Sequence, residues 1–294
     1  MFGSLAFLAL IVLGSCAGPK AHFSYEHKEY HAPVSLRFEN QSRHGESYHW
    51  DFGDGHTSGD YQPEHHYSLS GNYKVVLTAK KNGKSSTSVR ELHILPPHHC
   101  MVEMETTEGT MVIRLHDETP QHRDNFIKLV EEGYYNGLLF HRVIKSFMVQ
   151  GGDPDSKNAS PGKRLGMGGP TYKVPAEMAD TLVHIKGALA AARMGDPVNP
   201  SKASSGSQFY IVQGRTCSKQ DLDNYELQKN IRYTDYARQI YMQEGGSPQL
   251  DKEYTVFGQV VRGLDVIDRI ADAQTDGSDR PVKDVKIIKT RIVN

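Results

Sequence analysis

The stretch from Phe140 to Asp153, FHRVIKSFMVQGGD, constrains this chain more than any other. It reads as a strand over 140–144, a polar break at Lys145 and Ser146, a second apolar run, and a turn forced by Gly151 and Gly152. Arg142 has Phe140, Val143 and Ile144 as neighbours. A guanidinium among nonpolar groups is costly unless its donors find partners, so Arg142 is expected to line a groove rather than a dry core. GSQFYIV (206–212) and YTVFGQV (254–260) repeat the arrangement of a polar side chain inside an apolar strand. Together the three stretches imply a shallow site with one positive donor, amides from Gln150 and Gln208, and an aromatic and aliphatic floor.

Residues 1–15 carry no charge, and 5–13 are nearly all apolar. That run is too short to cross a bilayer as a mature helix but suits the hydrophobic region of a signal peptide. It ends in Leu13-Gly14-Ser15-Cys16, which resembles a bacterial lipobox, although no Lys or Arg follows Met1. On this reading Cys16 is acylated, and the expected location is the bacterial cell envelope, lipid-anchored. Ala17-Gly18-Pro19-Lys20 has no acidic cluster of the kind that marks surface export, so a periplasm-facing leaflet is expected. An ordinary signal peptide with Cys16 unmodified is the alternative.

Residues 16–294 are too many for one core of the usual size, and two domains are expected. Net charge is -1, from 34 basic and 35 acidic side chains, with no basic block, which argues against a nucleic-acid partner. Besides Cys16 there are only Cys100 and Cys217, so no disulfide framework is expected.

The first domain, 16–97 with its linker, has alternating apolar strands at VSLRF (34–38) and NYKVVLTA (72–79). Asp-Gly and Asn-Gly turn signals lie at 54–55 and 82–83. Short strands without helical period imply a β-sandwich. WDFGDG (50–55) followed by HHYSLSGNYKVVLTA (65–79) resembles the PKD family of immunoglobulin-like domains. The resemblance implies a core Trp50, a corner tyrosine at Tyr67 and a turn at Gly71. Asp51 and Asp54 read as turn formers that bond their own backbone. The pairs His65-His66 and His98-His99 lack the spacing of a compact zinc site, and no metal is expected. A spacer or adhesion module is the reading for this domain.

LPPHH (95–99) is a linker stiffened by two prolines. After it, 101–116 reads as a hairpin turned by Glu108-Gly109. A helix follows, with Thr119 as N-cap, Pro120 at its first position and Gly133 past its end. Phe126, Leu129 and Val130 form its inward stripe. Leu264, Ile267 and Ile270 predict a second helix, and final strands fall near 283–293. GKRLGMGGPTYKVPAE (162–177) lacks the context of a phosphate cradle and reads as a Gly-rich wall beside a peptide groove.

FHRVI, SFMVQGGD, SGSQFYI and VFGQV in this order resemble the cyclophilin family of peptidyl-prolyl cis/trans isomerases, over 98–294 apart from an insertion at about 215–249. The resemblance implies a closed eight-stranded antiparallel β-barrel capped by helices, making the whole chain all-β. It implies isomerisation of X–Pro bonds in unfolded or Pro-containing client proteins, a reaction that needs no nucleophile, metal or cofactor. Arg142, Phe147 and Gln150 would be catalytic, with Met148, Ala192, Gln208, Tyr210, Leu250 and Phe257 binding substrate. Tyr210 stands where many members have Phe, and Tyr254 where many have His. A non-catalytic module that grips Pro-containing segments of a partner is the alternative.

The insertion has Ser218 as N-cap, Asp221 three residues on and Gly245-Gly246 as terminator, which predicts a helix. Leu222, Tyr225, Ile231 and Tyr236 are the candidate packing residues. A decorated surface loop without activity is one reading of it; the other, suggested by Tyr233 and Tyr241 together with Tyr225 and Tyr236, is a surface that touches clients more than it touches the chemical step.

Overall fold

The computed structural model describes residues 18–96 and 100–293. The leader, Cys16, His98 and His99 lie outside the described residues. The chain divides into two compact units. One runs to Ile94 apart from His31–Pro33 and Ser68–Ser70; the other holds those short stretches and everything from Leu95.

The first unit is a β-sandwich. Val34–Arg37 pairs with Glu64–Tyr67, and a second sheet orders Thr57–Ser58, Ser47–Asp51, Gly71–Lys81 and Lys84–Ile94. The alternation fixes which faces are inward: Leu36, Phe38, Val75, Leu77 and Ala79 are all buried. Trp50 is fully buried, edge-on to Phe23, and its indole N–H donates to the Asp60 carbonyl at 2.9 Å. The Tyr67 hydroxyl donates to the Phe52 carbonyl at 3.0 Å, as a corner tyrosine should. Asp51 accepts from the Gly53 N–H and Asp54 from the His56 N–H, so both close turns. Gly71 opens a strand rather than forming a turn.

The second unit is built on one curled eight-stranded sheet. In chain order its strands and helices are β1 (Met101–Thr106), β2 (Gly109–Leu115), α1 (Pro120–Glu131), β3 (Arg142–Ile144), β4 (Met148–Gly151), β5 (Ala188–Ala191), β6 (Phe209–Val212), α2 (Lys219–Lys229), α3 (Asp235–Gln243), β7 (Val256–Arg262), α4 (Leu264–Ala271) and β8 (Ile287–Val293). The spatial order is β3-β4-β6-β5-β7-β2-β1-β8, with every pair antiparallel. One face packs the main core, where Phe126, Leu129 and Val130 of α1 and Val266, Ile267 and Ile270 of α4 meet Ile113, Leu189, Phe209 and Ile211.

Four expectations need correction. The barrel is not closed by strands, because the edge strands β3 and β8 share no ladder. Residues 137–140 instead meet 285–287 through isolated bonds such as Phe140 N–H to Val285 O at 2.9 Å and Ile287 N–H to Leu138 O at 2.8 Å. Spending the Phe140 N–H there shortens the expected strand 140–144 to Arg142–Ile144. Thr119 precedes α1 but makes no cap, and its buried hydroxyl is unpartnered. The Glu177 carboxylate caps that helix from outside, accepting from the Gln121 and His122 N–H groups at 3.1 and 3.0 Å. In the first hairpin Thr106 pairs with Gly109, so Thr107 and Glu108 make the turn and Gly109 begins the return strand.

His141, beside Arg142, is buried with neither ring nitrogen hydrogen-bonded. Burial pushes its pKa down from 6.5 to about 4, opposed in part by Asp153. The unfolded imidazole takes a proton near pH 6.5 and the folded one only near 4. Its contribution is therefore complete above pH 6.5 and is lost on acidification through that window, roughly 3 kcal/mol in all. Urea midpoints should fall over this range in the wild type and fall less in His141→Leu. Identical pH dependence in the two proteins would contradict a neutral, buried His141.

Candidate active site

The face of the sheet opposite the main core carries the site, and strand pairing assembles it. Arg142 of β3 pairs with Gln150 of β4, Gln150 with Tyr210 of β6, and Tyr210 with Ala190 of β5. Strand alternation then separates two layers: Val149, Phe209 and Ile211 enter the main core, while Met148, Tyr210 and Val212 form a second cluster. Phe147, Ala192, Leu250 and Tyr254 pack around that second cluster.

These residues enclose a cavity of about 370 Å³ lined by Arg142, Phe147, Met148, Gln150, Ala192, Arg193, Tyr210, Leu250 and Tyr254. Seven of the nine nominated residues therefore come together. Arg142 is half-exposed, and its Nε lies 3.4 Å from an Asp279 carboxylate oxygen. Its two terminal nitrogens make no hydrogen bond among the described residues, so one positively charged donor pair remains for a ligand. Gln150 Nε2 donates to Gln208 Oε1 at 3.2 Å, and Gln208 Nε2 donates to the Gly168 carbonyl at 2.7 Å. That relay leaves the Gln150 carbonyl oxygen as an acceptor at the pocket.

Two nominated residues sit elsewhere. Gln208 lines an adjoining cleft of about 230 Å³ with Gly166–Lys173, and shares Gln150, Ala192 and Arg193 with the pocket. Phe257 is not brought to either cleft. Its ring is buried in the main core, 5.4 Å from that of Phe126, because it alternates with Val256, which faces the pocket cluster.

Arg193, Tyr254 and Asp153 are the residues that sequence reasoning did not nominate. Arg193 is buried, bonds the Glu253 carbonyl at 2.8 Å and Asp196, and lies 4.6 Å over the Tyr254 ring. It fixes that wall, with most of its donors engaged by Glu253, Met194 and Asp196. Its position directly after Ala192 was the available signal. Asp153 is fully buried and accepts from the Asp155 and Gly166 N–H groups, tying down the Gly-rich wall. A Cβ on Gly168 would sit 2.2 Å from that carboxylate, which is why glycine is needed there. A roomier cleft of about 490 Å³ lies between 145–147 and the insertion; it shares Phe147 but is otherwise mostly polar.

The insertion holds two helices where one was expected. Ser218 and Asp221 form a reciprocal capping box on α2, Asn230 ends it in a left-handed conformation, and Thr234 caps α3. Leu222 is buried, and Tyr225 and Ile231 pack beside it, but Tyr236 is 64% exposed. Tyr233 and Tyr241, expected on a client-facing surface, are buried instead. Cys100 is buried and Cys217 half-buried, and no disulfide joins them.

In the first unit, Asp54, His56 and His65 bring their ligand atoms within 4.8 Å of one another, which histidine spacing alone did not reveal. The group satisfies itself: His65 Nε2 is 2.7 Å from Asp54, and the His65 ring stacks on Phe52 at 4.0 Å.

Residues 101–292 match the family model for cyclophilin type peptidyl-prolyl cis-trans isomerases, and 18–94 match that for the PKD domain. A Streptococcus pyogenes protein named as a bifunctional phosphatase/peptidyl-prolyl cis-trans isomerase is 39% identical over 64% of this chain. The match spans only 37% of that longer protein. A Staphylococcus saprophyticus protein named as a peptidyl-prolyl cis-trans isomerase is 36% identical, covering 65% of this chain and 90% of the relative. Among solved structures, a Cryptosporidium parvum cyclophilin type isomerase matches at 23% identity and a TM-score of 0.49, covering 67% of this chain and 99% of its own.

Replacing Asp153 tests the Gly-rich wall. Asp153→Ala should cost about 2–4 kcal/mol, since charge-assisted bonds to buried amides are lost. It should also speed amide exchange over 162–172. Unchanged exchange there would mean that the wall is held by something else.

Proposed function

Because the chain belongs to the cyclophilin type peptidyl-prolyl cis-trans isomerase family, we propose that the Arg142 pocket isomerises X–Pro bonds in extracytoplasmic proteins and so assists their folding. The observation that carries this reading is a guanidinium with unspent donors at the edge of a cavity floored by Phe147, Met148, Tyr210 and Leu250.

Rotation about an X–Pro bond is slow because the amide has partial double-bond character, with an activation energy of about 20 kcal/mol. The apolar floor takes the proline ring. As the bond twists, the imide nitrogen loses conjugation and gains a lone pair, which an Arg142 N–H can bond. That donor interaction is strong only in the twisted state, so it lowers the barrier instead of merely tightening binding. The Gln150 carbonyl oxygen and the adjoining Gly-rich cleft hold the flanking peptide while one side of the bond turns. Nothing is made or broken covalently, so the residues need only grip, orient and donate.

The same proposal takes Leu13-Gly14-Ser15-Cys16 as a lipidation signal that anchors the protein in the bacterial envelope, facing the periplasm. Acyl chains on Cys16 would supply the attachment; among the described residues no helix is long and apolar enough to cross a membrane.

Two variants test these readings. Arg142→Ala should keep the fold, since the side chain is half-exposed with a single long ion pair, and should lose about 2–4 kcal/mol of barrier lowering on an X–Pro tetrapeptide. Activity within twofold of wild type would reassign the pocket to binding alone. In cells fed a fatty-acid probe, the wild type should be labelled and Cys16→Ser should not; equal labelling would make the lipobox a coincidence.

A further inference from the structure

The isomerase pocket is joined to the insertion by a buried hydrogen-bond chain. The Tyr210 hydroxyl, at the pocket, lies 3.0 Å from His184 Nε2, and His184 Nδ1 lies 2.8 Å from Asp251 Oδ1. The same Oδ1 accepts the His184 backbone N–H at 2.8 Å. The other carboxylate oxygen, Oδ2, accepts the hydroxyls of Tyr233 at 2.7 Å and Tyr241 at 2.8 Å. Tyr233 lies between the two insertion helices and Tyr241 on the second. Every member of the chain is buried, with His184 fully enclosed.

Chemistry sets the direction of each bond. An ionised carboxylate only accepts, so the His184 proton sits on Nδ1 facing Asp251, and Nε2 is left to accept from the Tyr210 hydroxyl. Asp251 then receives four donors, which is what a buried carboxylate requires to be tolerated. Two of the four come from the insertion. Removing them leaves a buried charge under-satisfied, and the group that must readjust is the imidazole that holds Tyr210.

We infer that His184 and Asp251 are positioning residues for the isomerase pocket, and that the insertion acts through them, by way of Tyr233 and Tyr241, to fix the ring of Tyr210. This rests on the isomerase reading and replaces the expectation that the insertion touches clients more than the chemical step. The hydroxyl that distinguishes Tyr210 from phenylalanine has its use here: it makes the pocket wall part of a chain that the inserted helices complete. Gly246 closes the insertion against this chain; a Cβ there would lie 2.3 Å from the Tyr241 ring and 2.6 Å from the His184 carbonyl.

A double-mutant cycle on the full chain tests the inference, using an X–Pro tetrapeptide too short to reach α2 or α3. Tyr233→Phe with Tyr241→Phe should lower kcat/KM by about 3- to 10-fold, mostly through KM, because a wall that moves binds ground and transition states less well alike. With Tyr210→Phe also present, the tyrosine pair should have no further effect on KM, while its cost to thermal stability persists. Stability thus reports the structural role of the tyrosines, and the KM coupling reports the positioning role. A tyrosine pair that leaves KM unchanged, or lowers kcat/KM equally with and without Tyr210→Phe, would overturn the inference. No activity in the wild-type chain would instead remove the isomerase reading beneath it.

Discussion

Antiparallel pairing across β3, β4 and β6 puts Arg142, Gln150 and Tyr210 in one row, and the site depends on that register. A one-residue slip would send all three into the main core and turn Val143, Val149 and Ile211 toward the groove. The register is held because both faces have work to do: Val149, Phe209 and Ile211 fill the core, so their neighbours are forced to the other side. The guanidinium can then keep free donors because it stands at the sheet's edge strand, where solvent and a substrate can reach it.

Buried carboxylates are the second constraint. Asp153 organises the Gly-rich wall and Asp251 the residues behind Tyr210, each with its acceptors filled by backbone, tyrosine or imidazole donors. Such networks give a defined geometry at the risk of a large penalty if one partner is lost. Arg142 and the apolar floor line the cavity itself.

Much of this was legible in the sequence because it is local. The alternation of 34–38 and 72–79, the capping box at Ser218 and Asp221, and the ends of α1 at Pro120 and Gly133 all follow from neighbouring residues. Arg142 among apolar neighbours pointed to a groove for the same reason. What failed is non-local. The parity of a strand is visible but not which face it presents, so Phe257 was nominated for the pocket when Val256 has that side. Glu177 caps α1 from a distant loop, and Tyr233 and Tyr241 find Asp251 only through the fold. The seam between the edge strands is bridged by single bonds, such as that from the Phe140 N–H to the Val285 carbonyl, and not by a ladder, a choice no periodicity records.

The central claim is that the pocket turns X–Pro bonds and does not merely bind them. Magnetisation-exchange NMR on a Pro-containing peptide, with the full chain present at a small fraction of the peptide concentration, addresses this directly. Cis and trans resonances of the proline and its preceding residue should exchange within about a second, where the uncatalysed process takes tens of seconds or more. Resonances that shift on addition of protein, with exchange as slow as in its absence, would contradict the account and leave a binding module.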